Sequence, residues 1–193
     1  MYRRKISNIT ISTHKQENLY FAAGFSENGK LIRISHPQTI LEDAISEISE
    51  HHPKYSMSNE NNGIVKEIAC MYFGENIDFD LTLLETDINS EYETSTIKTS
   101  FEQDVILEVA KIPYGTVKTY KDIAESINTH GYRAVGTAVG KNPFPIVVPC
   151  HRVIRSDGGL GGFKGGIDVK INLLTNEGIK IKSGKIIDWI LCF

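Results

Sequence analysis

The chain has 193 residues and a formal net charge of −3, with 40% hydrophobic and 23% charged residues, a composition that suits one large globular core or two small ones. No run approaches the roughly 18 apolar residues that a bilayer crossing requires, and the basic start MYRRKISNITIS has no apolar stretch behind it, which argues against a membrane span and a secretory signal. The charge is unevenly spread. Residues 1–95 carry 8 Lys and Arg against 15 Asp and Glu, a balance of −7, and residues 96–193 carry 13 against 9, a balance of +4. A basic back half points to a polyanionic partner for that half. Cys70, Cys150 and Cys192 are odd in number, widely spaced and without CxxC pairing. That pattern argues against a disulfide framework or a zinc ribbon and for a reducing, cytoplasmic setting.

In chain order, KISNITI and NLYFAAGF are strand-like, and Asn28-Gly29 before KLIRIS supplies a hairpin turn. Ile40, Leu41, Ala44, Ile45 and Ile48 recur at helical spacing, which predicts a helix over 38–51. HHPKYSMSNENNG reads as a polar loop, 64–73 as a second helix, and FDLTLLE as another strand. Polar, aperiodic residues near 88–98 mark a linker, so the predicted domains are 1–95 and 96–193.

The back half reads as mainly helical. Ser100 and Gln103 have the form of a capping box ahead of an apolar stripe of Phe101, Val105, Ile106, Val109 and Ala110. Thr119 is placed to cap a short helix, TYKDIAESI, and the turn NTHGY leads into a second, RAVGTAVGKN, which Pro143 stops. Two short helices around a Gly-containing turn outline a helix-turn-helix. The second helix is slim, with Ala134, Gly136, Ala138 and Gly140, and carries Arg133 at its start and Lys141 at its end. Such a helix makes a weak core element and a thin wedge for a groove.

The window Asn142-Pro-Phe-Pro-Ile-Val-Val-Pro-Cys-His-Arg-Val153 carries the chemistry. Ile146–Val148 reads as a buried strand that delivers Cys150, and the adjacent His151 and Arg152 favour its thiolate, the reactive form. Neighbours on an extended chain point to opposite sides. His151 is therefore expected to reach the sulfur through a water, with a carboxylate from elsewhere orienting the imidazole. The loop RSDGGLGGFKGG lacks the spacings of a nucleotide-binding loop and reads instead as a wrap around a flat ligand, with Phe163 as a stacking face. Asp168 is a candidate cap for a last helix, which faces Ile171 and Leu174 inward and stops at Gly178.

NPFPIVVPCHRVI and GGLGGFKGGIDVKINLLTNEG, with YGTVKTYKDIA and YRAVGTAVGKNP upstream, resemble the O6-alkylguanine-DNA alkyltransferase family, whose signature is PCHR. The resemblance covers about residues 100–178. It implies an α+β protein of two domains, an N-terminal ribonuclease H-like α/β domain and a C-terminal, mainly helical, winged helix-turn-helix-like domain that bears the active site. It also implies a cytoplasmic monomer that needs no cofactor and binds double-stranded DNA through the minor groove, flipping the alkylated guanine out of the stack.

Residue by residue, the resemblance makes Cys150 the acceptor that keeps the alkyl group, so that each chain acts once. His151 would deprotonate Cys150 through a water, Glu177 would orient His151, and Asn142 would brace the turn that bears the site. Tyr120 would disturb the phosphate beside the target and donate a proton to the departing base, and Arg133 would take the flipped nucleotide's place. Ala134, Gly136, Lys141 and Arg152 complete the implied DNA-binding set. Pro145, Phe163 and Gly165 would line the pocket, where the carbonyls of Cys150 and Val153 read the guanine amino group and the Lys164 amide faces O6.

Two departures stand out. Phe163 occupies a position where many relatives have Tyr, and no Cys precedes Cys70, so the structural zinc site of some members cannot be assembled. His14, His36, His51 and His52 then read as surface residues, and His130 as a solvated loop residue. Two other readings compete with repair. A non-catalytic lesion binder of the alkyltransferase-like kind lacks the PCHR cysteine, which is present here. A small-substrate thiol hydrolase fits poorly with the adjacency of Cys150 and His151 and with the helix-turn-helix. The tail after Gly178, with Trp189, Ile190, Leu191 and Phe193, is expected to pack on the body.

Overall fold

The computed structural model describes residues 8–88 and 97–187, so most of the expected linker and the apolar tail from Trp189 lie outside the described residues. The architecture is α+β and divides into two compact units, Met1–Met71 with Ile77–Thr99, and Tyr72–Asn76 with Ser100–Phe193.

In the first unit, β1 (Ile9–Gln16) and β2 (Leu19–Phe25) form an antiparallel ladder, and β3 (Leu31–Ile34) pairs antiparallel with β2. Gly29, at φ 74°, supplies the left-handed residue of the β2–β3 turn, as Asn28-Gly29 predicts. After α1 (Leu41–Ser49), β4 (Tyr55–Met57) adds to the other side of β1 in parallel, giving the order β3-β2-β1-β4. Ala44 and Ile48 of α1 pack on Ile9, Ile11, Ala22 and Ile32 of the sheet. Gly24 permits this close approach, because a Cβ there would lie 3.0 Å from Ile48 Cγ2 and 3.3 Å from Ile9 Cδ1. The helix α2 (Asn62–Tyr72) follows.

Three expectations for this half are corrected. The polar loop after α1 contains β4, whose three residues are all exposed and which is held by backbone pairing alone, leaving no hydropathy pattern to read. FDLTLLE forms a 3₁₀ turn at Leu81–Leu83 instead of a strand. There Asp80 Oδ1 accepts from the Thr82 amide at 2.9 Å and its hydroxyl at 2.7 Å, a local alternative to ladder pairing. His36 and His52 are buried, whereas His51 is exposed. His36 Nδ1 meets Glu47 Oε1 at 2.6 Å.

In the second unit, α3 (Ser100–Ala110) begins on Ser100, one residue before the predicted cap would allow. Its buried Glu102 and Glu108 are neutralised by Lys141, and by Lys111 and Lys118. The short β5 (Lys118–Thr119) runs parallel to β6 (Val153–Ile154). The helix pair is α4 (Tyr120–Ser126) and α5 (Tyr132–Gly140). Thr119 caps α4 as predicted, with the Asp122 amide on its hydroxyl at 3.1 Å and its own amide on Asp122 Oδ2 at 2.7 Å. The last helix is α6 (Ile167–Asn176), whose N-cap is Gly166 rather than Asp168. Asp168 lies inside the first turn, where its charge suits the helix dipole. Gly178, at φ 82°, ends α6, and a small hairpin of β7 (Ile181–Lys182) and β8 (Lys185–Ile186) follows. Among the described residues no helix is long and apolar enough to cross a membrane.

Burial, with the charges of Arg33, His51 and Lys98, lowers the His52 pKa from 6.5 to about 4. The native state therefore binds fewer protons than the unfolded chain between these values, and stability falls as pH drops through that window. His52→Gln is expected to lose less stability between pH 7 and pH 5 than the wild type, as measured by urea unfolding at each pH.

Candidate active site

Cys150 is not delivered by a strand. Residues 142–149 form a buried succession of turns, with Ile146 at φ 77°. The physical reason lies in the sequence: Pro143, Pro145 and Pro149 remove amides that a ladder would need. Asn142 supplies the missing bonds, its Nδ2 donating to the Val148 carbonyl at 2.9 Å and its Oδ1 accepting from the Phe144 amide at 3.0 Å. Cys150, His151 and Arg152 then form one 3₁₀ turn, all three buried. Cys150 and His151 therefore sit on a tight turn and not on the extended chain expected from the sequence.

Glu177, at the C-terminal end of α6, holds this turn. Its Oε1 meets His151 Nε2 at 2.8 Å and accepts from Arg152 Nη2 at 2.8 Å, and its Oε2 accepts from Arg152 Nε at 2.9 Å and the Gly115 amide at 3.3 Å. Burial alone would raise the Glu177 pKa, but the hydrogen bonds and charges of His151 and Arg152 outweigh it and bring it down to about 2. An ionised carboxylate only accepts, so His151 Nε2 carries the proton that faces it. Burial lowers the His151 pKa against the pull of Glu177, which leaves a neutral ring with a basic Nδ1. That Nδ1 is buried and meets no hydrogen-bonding partner among the described residues.

The thiol itself is restrained. Burial pushes the Cys150 pKa up, opposed by the Asn142 side chain, the charge of Lys170 and the backbone amides of Cys150 and His151. Lys170 was absent from the residues singled out in the sequence. It is fully buried on α6, donating to the carbonyls of Val153 at 2.7 Å and Leu160 at 2.5 Å, and burial brings its pKa down to about 8 although the Cys150 thiolate favours its charge. The only available signal was a lysine at the inward helical spacing set by Leu173 and Leu174.

Tyr120 begins α4, and burial, with the Cys150 thiolate, raises its phenol pKa and keeps the proton on. Its ring runs between two glycines: a Cβ on Gly136 would be 3.9 Å from the ring, and one on Gly161 would be 3.4 Å from the hydroxyl. Gly161 also has φ 69°, so the backbone there favours glycine, although a Cβ would make only ordinary contacts. Tyr120 lines an open cleft of about 840 Å³ with Tyr132, Arg133, Gly136, Arg155 and Asp157, a cleft that Cys150 does not line. Arg133 and Ala134 are exposed on the first turn of α5, and Arg133 forms no ion pair among the described residues.

The remaining predicted residues divide. Pro145 and Val153 are buried, Phe163 and Gly165 are half-buried, and Lys164 is exposed. The carbonyl of Val153 already accepts from Lys170, and that of Cys150 from the Val153 amide, leaving each one lone pair for a ligand. One DNA-binding assignment is corrected. Arg152 is buried, and its guanidinium is committed to Glu177 and, at 2.6 Å, to the Ile112 carbonyl, so its role is to hold the turn. Lys141 is exposed but paired with Glu102 at 2.6 Å.

Because the charge of Lys170 opposes the rise of the Cys150 pKa, Lys170→Met is expected to raise the apparent Cys150 pKa further, read from the pH dependence of iodoacetamide alkylation. Loss of the fold would instead expose the thiol and lower that value, so the two effects have opposite signs.

Residues 100–179 match the family described as 6-O-methylguanine DNA methyltransferase, DNA binding domain. A methylated-DNA–protein-cysteine methyltransferase of Metallosphaera sedula is 41% identical over 125 residues, which span 65% of this chain and 72% of that protein. The crystal structure of an O6-methylguanine-DNA methyltransferase from Pyrococcus kodakaraensis strain KOD1 aligns with a TM-score of 0.66 at 27% identity, covering 89% of this chain and 99% of the other. A Mycobacterium tuberculosis OGT, in a crystal structure with DNA, aligns with a TM-score of 0.65 at 29% identity, covering 87% and 92%. With its PCHR cysteine on a Glu177-braced turn beside a slim helix pair, the chain belongs to the methylated-DNA–protein-cysteine methyltransferase family.

Proposed function

We propose that this chain repairs DNA by a direct, irreversible, single-turnover transfer of the alkyl group of O6-alkylguanine to Cys150. The observation that carries the reading is the buried series Cys150, His151, Glu177, in which an ionised carboxylate fixes the tautomer of a histidine adjoining the acceptor thiol. The thiol proton passes by way of a water to His151 Nδ1. Cys150 Sγ attacks the alkyl carbon, the carbon–O6 bond breaks, and its electron pair leaves with guanine as the thioether forms. Tyr120, protonated and beside the thiol, supplies the departing base with a proton. No step cleaves the thioether, so each chain acts once.

O6 inside a duplex is hidden from a protein nucleophile, and flipping the nucleotide costs a few kcal/mol. Arg133 takes the vacated place in the stack while Ala134 and Gly136 let α5 press into the minor groove. The flipped base passes Tyr120 and lies between Pro145, Phe163 and Gly165, read by the Cys150 and Val153 carbonyls and the Lys164 amide. In the same reading the helix pair with its flanking short strands is a winged helix-turn-helix-like domain, and the four-stranded mixed sheet with α1 is ribonuclease H-like. The presence of the acceptor thiol with its base sets aside a lesion binder without chemistry.

Arg133→Ala is expected to slow methyl transfer from duplex O6-methylguanine by roughly 100-fold, the equivalent of about 2.7 kcal/mol, without changing the rate with the free base, which needs no flipping. Equal slowing of both reactions, or of neither, would contradict the assignment. Cys150→Ser should abolish transfer from either substrate and leave duplex binding intact.

A further inference from the structure

The hairpin β7–β8 lies beyond residue 179, where the family match ends. It is firmly built. Ser183 and Gly184, at φ 53° and 72°, form its two-residue turn, with both residues in the left-handed region that matches the twist of the strands. Ile186 is buried with Val117, Ile154, Leu160 and Leu174, and its amide donates to the Gly158 carbonyl at 3.0 Å. Lys185 pairs as a bridge with Gly159. The hairpin is thereby joined to the turn 155–159, whose Arg155, Ser156 and Asp157 line the cleft that Arg133 and Tyr120 share.

The outer face is unusual. With the Ile181–Ile186 pair turned toward the core, the next cross-strand pair is Lys182 opposite Lys185. Both are exposed, and among the described residues neither has an ion-pair contact, although the charge of Lys185 helps to lower the pKa of Asp157 on the adjoining turn. Like charges directly opposite in a ladder destabilise it, and a two-residue hairpin has little stability to spare. The arrangement is favourable when polyanion charge lies across it, and duplex DNA presents one negative charge per about 1.7 Å of its axis.

Resting on the repair reading, we infer that the β7–β8 hairpin is an auxiliary clamp on duplex DNA, in which Lys182 and Lys185 contact backbone phosphates flanking the nucleotide held in the cleft. The contact is with phosphate alone. It adds affinity and salt dependence without sequence preference, and has no part in the transfer step.

The test is the doubly substituted Lys182→Gln, Lys185→Gln protein, compared with the wild type in binding an unmodified 20-base-pair duplex across a salt series and in transfer from free O6-methylguanine. Each phosphate contact contributes about 0.9 to the slope of log K against log salt. The expected result is a slope shallower by one to two, a free-base rate equal to the wild type's, and a melting temperature equal or higher because the like-charge pair is gone. A slope equal to that of the wild type would overturn the clamp. A wild type that itself fails to bind the duplex or to take up a methyl group would overturn the repair reading, and the clamp with it.

Discussion

The carboxylate of Glu177 is the point at which the second unit is tied together. Four hydrogen-bond donors converge on it, from His151, Arg152 and the amide of Gly115, and Arg152 passes the connection on to the Ile112 carbonyl. One buried charge therefore joins the end of α6, the Cys150–Arg152 turn and the loop after α3. Removing one member of such a group leaves the others buried and unpaired, which costs about 3–5 kcal/mol. The same carboxylate decides which nitrogen of His151 holds the proton, so the contact that stabilises the unit also sets its chemistry.

Around this point the site keeps its nucleophile in reserve. Burial holds the proton on Cys150, while Asn142, Lys170 and the neighbouring amides limit how far the pKa rises. A thiol in that condition resists oxidation and stray electrophiles and becomes reactive when a proton acceptor is in place. Lys170 serves two ends, since its bonds to Val153 and Leu160 also fix the backbone just before and within the Gly-rich loop. Tyr120 lines the open cleft, with the glycines at 136 and 161 beside its ring.

What the sequence made legible was local or strongly punctuated. Thr119 with Asp122, Gly29 and Gly178 mark their turns and caps because each acts within a few residues. Cys150, His151 and Glu177 were legible through the PCHR motif and its continuation, and in space they form one buried series. What failed depended on partners far along the chain. β4 is held by backbone pairing with β1, which composition does not record. Ile146–Val148 has the apolar content of a strand, yet its prolines and the Asn142 side chain turn it on itself. Arg152 and Lys141 read as free cations, but Glu177 and Glu102 claim them across 25 and 39 residues. Lys170 was invisible because lysine on a helix normally signals solvent, and His36 and His52 misled for the same reason.

In the repair reading, Cys150 accepts one alkyl group and keeps it. The most direct test is the intact mass of the protein after incubation with an excess of a short duplex carrying one O6-methylguanine, followed by peptide mapping. The expected result is a gain of one methylene, on the order of 14 Da, confined to Cys150 and saturating at one per chain while unmodified guanine appears in the duplex in equal amount. Repair of more lesions than there are chains, a methyl group on another residue, or tight binding with no gain in mass would contradict it.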